Sequence, residues 1–181
     1  MSLMADAVQA GKVRAVGVSN YSAAQMRLAH AELAKRSIPL ASNQVQYSLL
    51  CRNPEVDGVL DACRELGVTL IAYSPLAMGA LTGKYLTGER PAGLRRLLGS
   101  FRGKGLQAVR PVIELLRTIG KQHDRTISQV ALRWLIENEH VLPIPGAKNG
   151  SQAAENAGAL GFTLTGDEVE ALSAATLAWR V

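Results

Sequence analysis

The amino-acid sequence predicts an α/β fold in which parallel strands alternate with flanking helices. The run at residues 68–72 is short, apolar and β-branched without alternation, which is typical of a parallel strand that is buried on both faces. Three other runs likewise end in polar or small residues, and each of the four precedes a helical pattern. No hairpin turn joins any two runs, which favours parallel strands with right-handed crossovers. The predicted strands are residues 13–18, 42–47, 68–72 and 141–144.

Three helices are predicted in the first part of the chain. The first is residues 3–10, an amphipathic pattern that ends at a glycine. The second is expected to begin after Ser22, which precedes Gln25 by the spacing of a capping box. The third helix is expected to begin at Asn53 and Pro54, because proline suits the first helical turn. Apolar residues then recur at helical spacing on one face. This apolar set is Val56, Val59, Leu60, Cys63 and Leu66.

The second part of the chain is predicted to contain one long loop and four helices. Residues 77–106 are rich in Gly, Arg and Lys with weak periodicity, and such a segment in a compact domain is typically a lid or disordered. Thr126 with Gln129 and Thr165 with Glu168 have capping-box spacing. The predicted helices are residues 107–119, a helix after Thr126, residues 151–160, and a helix near 169–175.

Composition indicates one domain over residues 1–181 and excludes several function classes. The 181 residues are 48% hydrophobic, enough for one sizeable core. The net charge of +5 is scattered apart from a basic cluster at residues 90–110, and aromatics make up only 4%, which argues against nucleic-acid binding. No stretch approaches the roughly 20 apolar residues of a membrane span. Cys51 and Cys63 lack metal-ligand or redox spacing, so we expect a reduced compartment and no metal site.

Polar and ring-bearing residues at the four strand ends predict a nucleotide site. Asn20 and Gln44 offer the donors and acceptors that a carboxamide needs, while Tyr73 offers a ring for stacking and Ser74 a hydroxyl. Free N–H groups and a positive charge near Lys148 would suit an anion. Each residue alone could merely terminate a strand or pack. The full set is Ser19, Asn20, Gln44, Tyr73, Ser74, Gly146 and Lys148.

Four motifs in this order resemble the second half of an aldo-keto reductase, nearest to the plant and algal type with plastid-associated members. They are GKVRAVGVSNYS, SNQVQYSLL, VTLIAYSPLAMGALTGKY and IPGAKN with its downstream polar residues. The resemblance covers nearly the whole chain. It implies the C-terminal half, strands five to eight, of a (β/α)8 TIM barrel. It also implies an NADP-dependent oxidoreductase that reduces carbonyl compounds with NADPH extended across the barrel mouth.

The resemblance implies contacts to both ends of NADP(H). Tyr73 would stack on the nicotinamide, and its carboxamide would bind Ser19, Asn20 and Gln44. The 2′-phosphate would be held where Lys148 lies, and a fixed positive charge there favours NADP over NAD. The residues at the 2′-phosphate are Gly146, Ala147, Lys148 and Gln152, and those at the adenine are Glu155 and Asn156.

The start of the 77–106 loop is implied to cover the middle of the cofactor. Ser74, Leu76 and Gly79 fall where the loop after the seventh strand lies over the pyrophosphate. Leu81 and Lys84 continue the same loop.

The resemblance assigns no catalytic residue to this chain. The family's acid Tyr, with its Lys, Asp and His, would lie on strands before the point that corresponds to Met1, so we expect no turnover by residues 1–181 alone. A small carbonyl substrate would bind only if another half completed the site. Three explanations stay open: a truncated gene model, self-association of two copies into a pseudo-barrel, or a genuine non-catalytic NADPH-binding or scaffold protein. A soluble protein is expected, in a plastid by resemblance and otherwise in the cytoplasm.

Overall fold

The computed structural model describes residues 1–86 and 104–180 and contains a four-stranded parallel sheet in the order β1-β2-β3-β4. The predicted α/β class and parallel pairing are therefore confirmed. Strand β1 begins three residues later than expected, and β4 ends one residue earlier. The strands are β1 Val16–Ser19, β2 Leu40–Gln46, β3 Thr69–Tyr73 and β4 Val141–Pro143.

Seven α-helices accompany the sheet within the described residues. All of them except α6 pack apolar side chains on one another and on one side of the strands, which forms a single main core. The helices are α1 Ser2–Gln9, α2 Ala23–Ala34, α3 Val59–Leu66, α4 Lys104–His123, α5 Ile127–Ile136, α6 Gly150–Ala157 and α7 Gly166–Ala175.

The two faces of the sheet differ in burial. Side chains of one face, such as Val45 and Leu70, are buried in the core. Those of the other face, which we call the open face, are half-buried or exposed, and Leu142 on it is 54% exposed. The expectation that the strand at residues 68–72 is buried on both faces is therefore wrong, because Thr69 and Ile71 are only half-buried. The open face consists of Gly17, Ser19, Ser42, Gln44, Gln46, Thr69, Ile71, Tyr73 and Leu142.

The third helix begins later than predicted. Residues Asn53–Glu55 form a separate 3-10 turn, and Val56 is 51% exposed rather than part of the apolar stripe. Gly58 then adopts φ 80°, a left-handed conformation that interrupts the helical path. The carboxylate of Asp57 accepts a hydrogen bond from Val59 N at 3.0 Å, so α3 begins at Val59.

The segment predicted as a long loop is only partly described. Residues Ala77–Thr82 and Lys84–Leu86 form 3-10 turns, and α4 begins at Lys104, three residues earlier than expected. Residues 87–103 of the predicted loop, and most of the basic cluster at 90–110, lie outside the described residues. None of the helices that the structure describes has the length and apolar content to cross a bilayer.

All three capping boxes are confirmed, and the one at α7 carries a pH prediction. Burial raises the pKa of Glu168, but hydrogen bonds from Thr165 N and from His123 outweigh it and hold the pKa below 4.5. A lowered pKa stabilises the fold above pH 4.5, and this stabilisation is lost as the pH falls through the folded-state value. Glu168→Gln should therefore make the free energy of unfolding less dependent on pH between about pH 5 and pH 3.

Urea unfolding of both proteins at a series of pH values measures this difference. Asp167→Asn, which removes an exposed carboxylate from the same helical turn, is the control and should leave the slope nearly unchanged. Equal slopes for Glu168→Gln and the unmodified chain would contradict the prediction.

Candidate functional site

The carboxyl ends of the strands gather the predicted polar residues at one edge of the sheet. Ser19 Oγ and Asn20 N both donate to the Gln44 carbonyl oxygen, at 3.1 and 2.9 Å. Ser19 pairs with Gln44 in register, and Gln46 pairs with Tyr73. Ser19, Gln44 and Tyr73 therefore lie on the open face. Asn20 and Ser74, which follow β1 and β3, both adopt left-handed backbone conformations, with φ of 56° and 52°.

Two segments that are distant in sequence line a single groove of about 620 Å³. One segment follows β3 and the other follows β4. Most of the residues that the resemblance assigns to the pyrophosphate, the 2′-phosphate and the adenine lie here. The predicted residues in the groove are Ser74, Leu76, Gly79, Lys84, Gly146, Ala147, Lys148, Gln152, Glu155 and Asn156.

The remaining predicted residues lie elsewhere. Asn20 and Tyr73 line a neighbouring cavity of about 530 Å³, together with residues of the 3-10 turn after β2. Ser19 and Gln44 are on the open face and line neither cavity. Leu81 is fully buried in the main core, so its contribution is to anchor the segment after β3.

The charges of the groove favour an anion at one end. Lys84 and Lys148 bring two positive charges to its lining, against the single carboxylate of Glu155. Lys148 is exposed, and the ammonium of Lys84 lies 5.1 Å from the centre of the Tyr85 ring. The Glu155 carboxylate accepts a hydrogen bond from Thr126 Oγ1 at 3.1 Å.

Hydrogen bonds within residues 146–156 fix the loop that carries Lys148. The backbone N–H of Lys148 donates to Gln152 Oε1 at 2.8 Å. Asn149 caps α6 by accepting from Gln152 N at 2.9 Å. Asn156 Nδ2 lies 3.5 Å from the Gly146 carbonyl oxygen. Gln152 and Asn156 therefore shape the loop in addition to lining the groove.

The segment after β3 has a strained backbone. Ser74, Ala77 and Met78 adopt φ values of 52°, 47° and 53°, a region that non-glycine residues rarely enter. Gly79 follows at φ 96°, and a side chain there would approach Lys84 Cε to 3.3 Å. Such strain costs on the order of 1–3 kcal/mol per residue and clusters at functional sites. Its position beside the groove supports a binding role for this segment.

Asn43 is a positioning residue that the sequence interpretation missed. Its side chain is fully buried, and its amide bonds both backbone groups of Tyr21, accepting from N at 3.3 Å and donating to O at 2.9 Å. It thereby fixes the turn that carries Asn20. A lone asparagine at a core-facing position of a strand indicates such a role, because a buried amide needs partners.

The cysteines are unsuited to nucleophilic chemistry. Burial raises the pKa of Cys63 to about 11, and burial also raises the pKa of Cys51. A thiol with a raised pKa forms little of the reactive thiolate. In the part of the chain that the structure describes, no group of three or more His, Cys, Asp or Glu residues could hold a metal ion.

Comparisons with known proteins match nearly the whole chain. A family model described as the Aldo/keto reductase family matches residues 1–176. The chain is 46% identical over 158 residues to a chloroplastic pyridoxal reductase of Arabidopsis thaliana, covering 87% of this chain and 42% of that protein. It is 35% identical to an L-glyceraldehyde 3-phosphate reductase of Escherichia coli, covering 88% of this chain and 48% of the other.

Solved structures show the same relationship. The glycerol dehydrogenase AKR11B4 from Gluconobacter oxydans matches with a TM-score of 0.84 and 26% identity, over 98% of this chain and 53% of that one. The thermostable aldo-keto reductase Tm1743 matches with a TM-score of 0.71 and 31% identity, over 96% of this chain and 53% of the other. The chain thus spans about half the length of the relatives it matches.

Proposed function

Because the chain belongs to the aldo/keto reductase family, we propose that residues 1–181 form the NADP(H)-binding part of an oxidoreductase that reduces carbonyl compounds. The observation that carries this proposal is the groove in which residues 74–84 meet residues 146–156, with Lys84 and Lys148 in its lining. These are the two segments that the resemblance assigns to the phosphates of the cofactor. The positive charges of the two lysines suit the negative charge of a dinucleotide phosphate.

Different residues of the chain would bind different parts of NADP(H). Lys148 would hold the 2′-phosphate, with Glu155 and Asn156 at the adenine, and the segment after β3 would cover the pyrophosphate. Tyr73 would stack on the nicotinamide, whose carboxamide would bind polar residues at the ends of β1 and β2. These polar residues are Ser19, Asn20 and Gln44. In an oxidoreductase completed by the catalytic residues, the bound cofactor would supply the hydride for the substrate carbonyl.

We further propose that the sheet is the C-terminal half of a (β/α)8 barrel. Four parallel strands in sequential order, helices packed against one face and an open second face support this arrangement. The acid Tyr and its supporting Lys, Asp and His would come from residues other than 1–181, as would the rest of a small-carbonyl site. On this proposal, residues 1–181 bind NADPH without turning it over. A plastid location also stays a proposal, supported by the chloroplastic relative.

Titration calorimetry of the purified chain with NADPH tests the binding proposal. Lys148→Ala should weaken NADPH binding about tenfold, because a charge-assisted contact to phosphate contributes roughly 1.5 kcal/mol. Binding of NADH, which lacks the 2′-phosphate, should change little. Lys121→Ala, which removes an exposed lysine from the end of α4, is the matched control and should bind both nucleotides normally. No binding by the folded chain, or equal losses for the two nucleotides, would contradict the proposal.

A second candidate is a non-catalytic NADPH-binding or scaffold protein in which two copies close their sheets on each other. The open face favours it, because Leu142 and Ile144 are 54% and 44% exposed at an edge of the sheet. Within the described residues, β1 and β4 each have one neighbouring strand, so the edges of two copies could pair. Light scattering on the titrated sample measures the mass. A dimer that binds NADPH without oxidising it supports this candidate, and a monomeric chain contradicts it.

A further inference from the structure

Helix α6 carries part of the groove but is attached to the rest of the protein mainly by polar contacts. None of its residues is buried, although it supplies Gln152, Glu155 and Asn156 to the groove lining. Two side chains of the neighbouring α5 region reach it. Gln129 Nε2 donates to the Glu155 carbonyl oxygen at 2.9 Å, and Thr126 Oγ1 donates to Glu155 Oε1 at 3.1 Å. Within the described residues, these two bonds rather than buried apolar side chains join residues 150–157 to α5, and the first apolar anchor is Ala159, which follows the helix and is 0% exposed.

The same two residues form the capping box of α5. Gln129 N donates to Thr126 Oγ1 at 3.2 Å, and Thr126 N donates to Gln129 Oε1 at 3.0 Å. The side-chain oxygen of Gln129 thus accepts the capping bond from Thr126 N, and its side-chain nitrogen donates to the Glu155 carbonyl oxygen in α6. At α2, Ser22 and Gln25 form a capping box with similar distances of 3.3 and 2.9 Å. In the described residues, the Gln25 side chain makes only the capping bond.

Gly158, directly after α6, allows Gln129 to approach. A Cβ at this position would lie 2.1 Å from Gln129 Nε2 and 3.0 Å from its Cδ. The backbone of Gly158 is helical, with φ of −59°, so the backbone conformation does not require glycine. The close approach of the Gln129 amide requires it. We call the set of Thr126, Gln129, Glu155 and Gly158 the α5–α6 contact.

We propose that Thr126 and Gln129 are positioning residues for the nucleotide, acting through the α5–α6 contact. Neither side chain lines the groove in the described residues. They act by holding α6, and with it the Lys148 loop that Gln152 and Asn149 tie to the start of that helix. This inference rests on the proposed function, since the nucleotide concerned is NADP(H). It predicts that α6 can be displaced without disturbing α5.

The decisive variant is Gln129→Glu. Glutamate is the usual third residue of a capping box, so its carboxylate keeps the acceptor for Thr126 N. It cannot donate to the Glu155 carbonyl oxygen. We expect NADPH binding to weaken about five- to tenfold, with amide hydrogen exchange at residues 150–157 accelerated about fivefold or more. Exchange at residues 127–136 should stay as in the unmodified chain. Gln25→Glu makes the same change at α2 and should alter neither measurement.

Gly158→Ala breaks the α5–α6 contact from the other side. Alanine has a better helix propensity than glycine by about 1 kcal/mol, so a purely local effect would protect the end of α6. The added methyl group instead displaces the Gln129 amide, and we expect weaker NADPH binding and faster exchange in α6. If both variants bind NADPH more weakly and exchange faster in α6, the loss of the α5–α6 contact causes both effects, rather than the change of either residue alone.

The two readouts separate this inference from the proposed function. If the chain fails to bind NADPH but α6 exchange still accelerates in both variants, the proposed function fails and the role of the contact in holding α6 stands. If NADPH binds and both variants match the unmodified chain in affinity and in α6 exchange, the inference is overturned while the proposed function stands.

Discussion

Replacing Arg52 with alanine is expected to lower the free energy of unfolding by about 3–5 kcal/mol. The side chain is 5% exposed, and its Nε and Nη2 donate to the two carboxylate oxygens of Glu55, both at 2.7 Å. Its Nη1 donates to Thr176 Oγ1 at 3.0 Å and to the Ser173 carbonyl oxygen. The guanidinium also lies 5.3 Å from the centre of the Trp134 ring. Removal takes the bidentate partner from a 12% exposed carboxylate, which keeps only the Tyr47 hydroxyl at 2.9 Å and the half-exposed Arg180 Nε at 3.2 Å.

Urea unfolding of the purified chain measures this loss. Arg64→Ala is the matched control, because Arg64 forms an exposed pair with Asp61 at 3.0 Å and such pairs contribute about 0–1 kcal/mol. Arg52→Lys should fall between the two, since lysine keeps the charge but not the planar bidentate geometry. If Arg52→Ala does not fold, the free energy of unfolding of Arg52→Lys is compared with that of Arg64→Ala instead. The prediction is wrong if Arg52→Ala, or Arg52→Lys in its place, costs no more than Arg64→Ala.

Asn43→Ala is expected to cost about 2–3 kcal/mol, because it leaves the N–H and carbonyl groups of Tyr21 without their partner. Asn43 is 0% exposed, so water does not readily replace the lost amide. The turn after β1 should loosen, and with it the left-handed conformation of Asn20, whose φ is 56°. Because Asn20 is a proposed nicotinamide contact, we also expect Asn43→Ala to weaken NADPH binding.

Two further variants define the cause of that loss. Asn43→Asp keeps the acceptor for Tyr21 N but loses the donor to Tyr21 O, and should also be destabilised. Asn53→Ala removes an exposed asparagine and is expected to cost under about 1 kcal/mol. The measurement for this comparison is again the urea midpoint, and NADPH affinity is compared only between Asn43→Ala and the unmodified chain, because Asn53 lines the cavity that holds Asn20 and Tyr73. A loss for Asn43→Ala no larger than that for Asn53→Ala would exclude the proposed support of the turn.

The elements that the sequence predicts correctly are those with local causes. Each capping box joins residues three apart, so Ser22 with Gln25 and Thr126 with Gln129 could be recognised without knowing the fold. Parallel pairing followed from four strand-then-helix units, and the family from contiguous motifs. The sequence pattern places the start of α3 too early, because Asp57 and Gly58 provide a second start that competes with Pro54.

By itself, the sequence determined the fold class, the parallel order of the strands, the capping boxes and the family. Only the tertiary structure decided which of the proposed contact residues share a surface. It brought Lys84 and Lys148 into one groove, left Gln44 on the open face and buried Leu81 in the core. It also joined the Gln129 amide to Glu155. The physical reason is that these relations depend on strand register and helix packing between distant segments, which no local pattern of residues encodes.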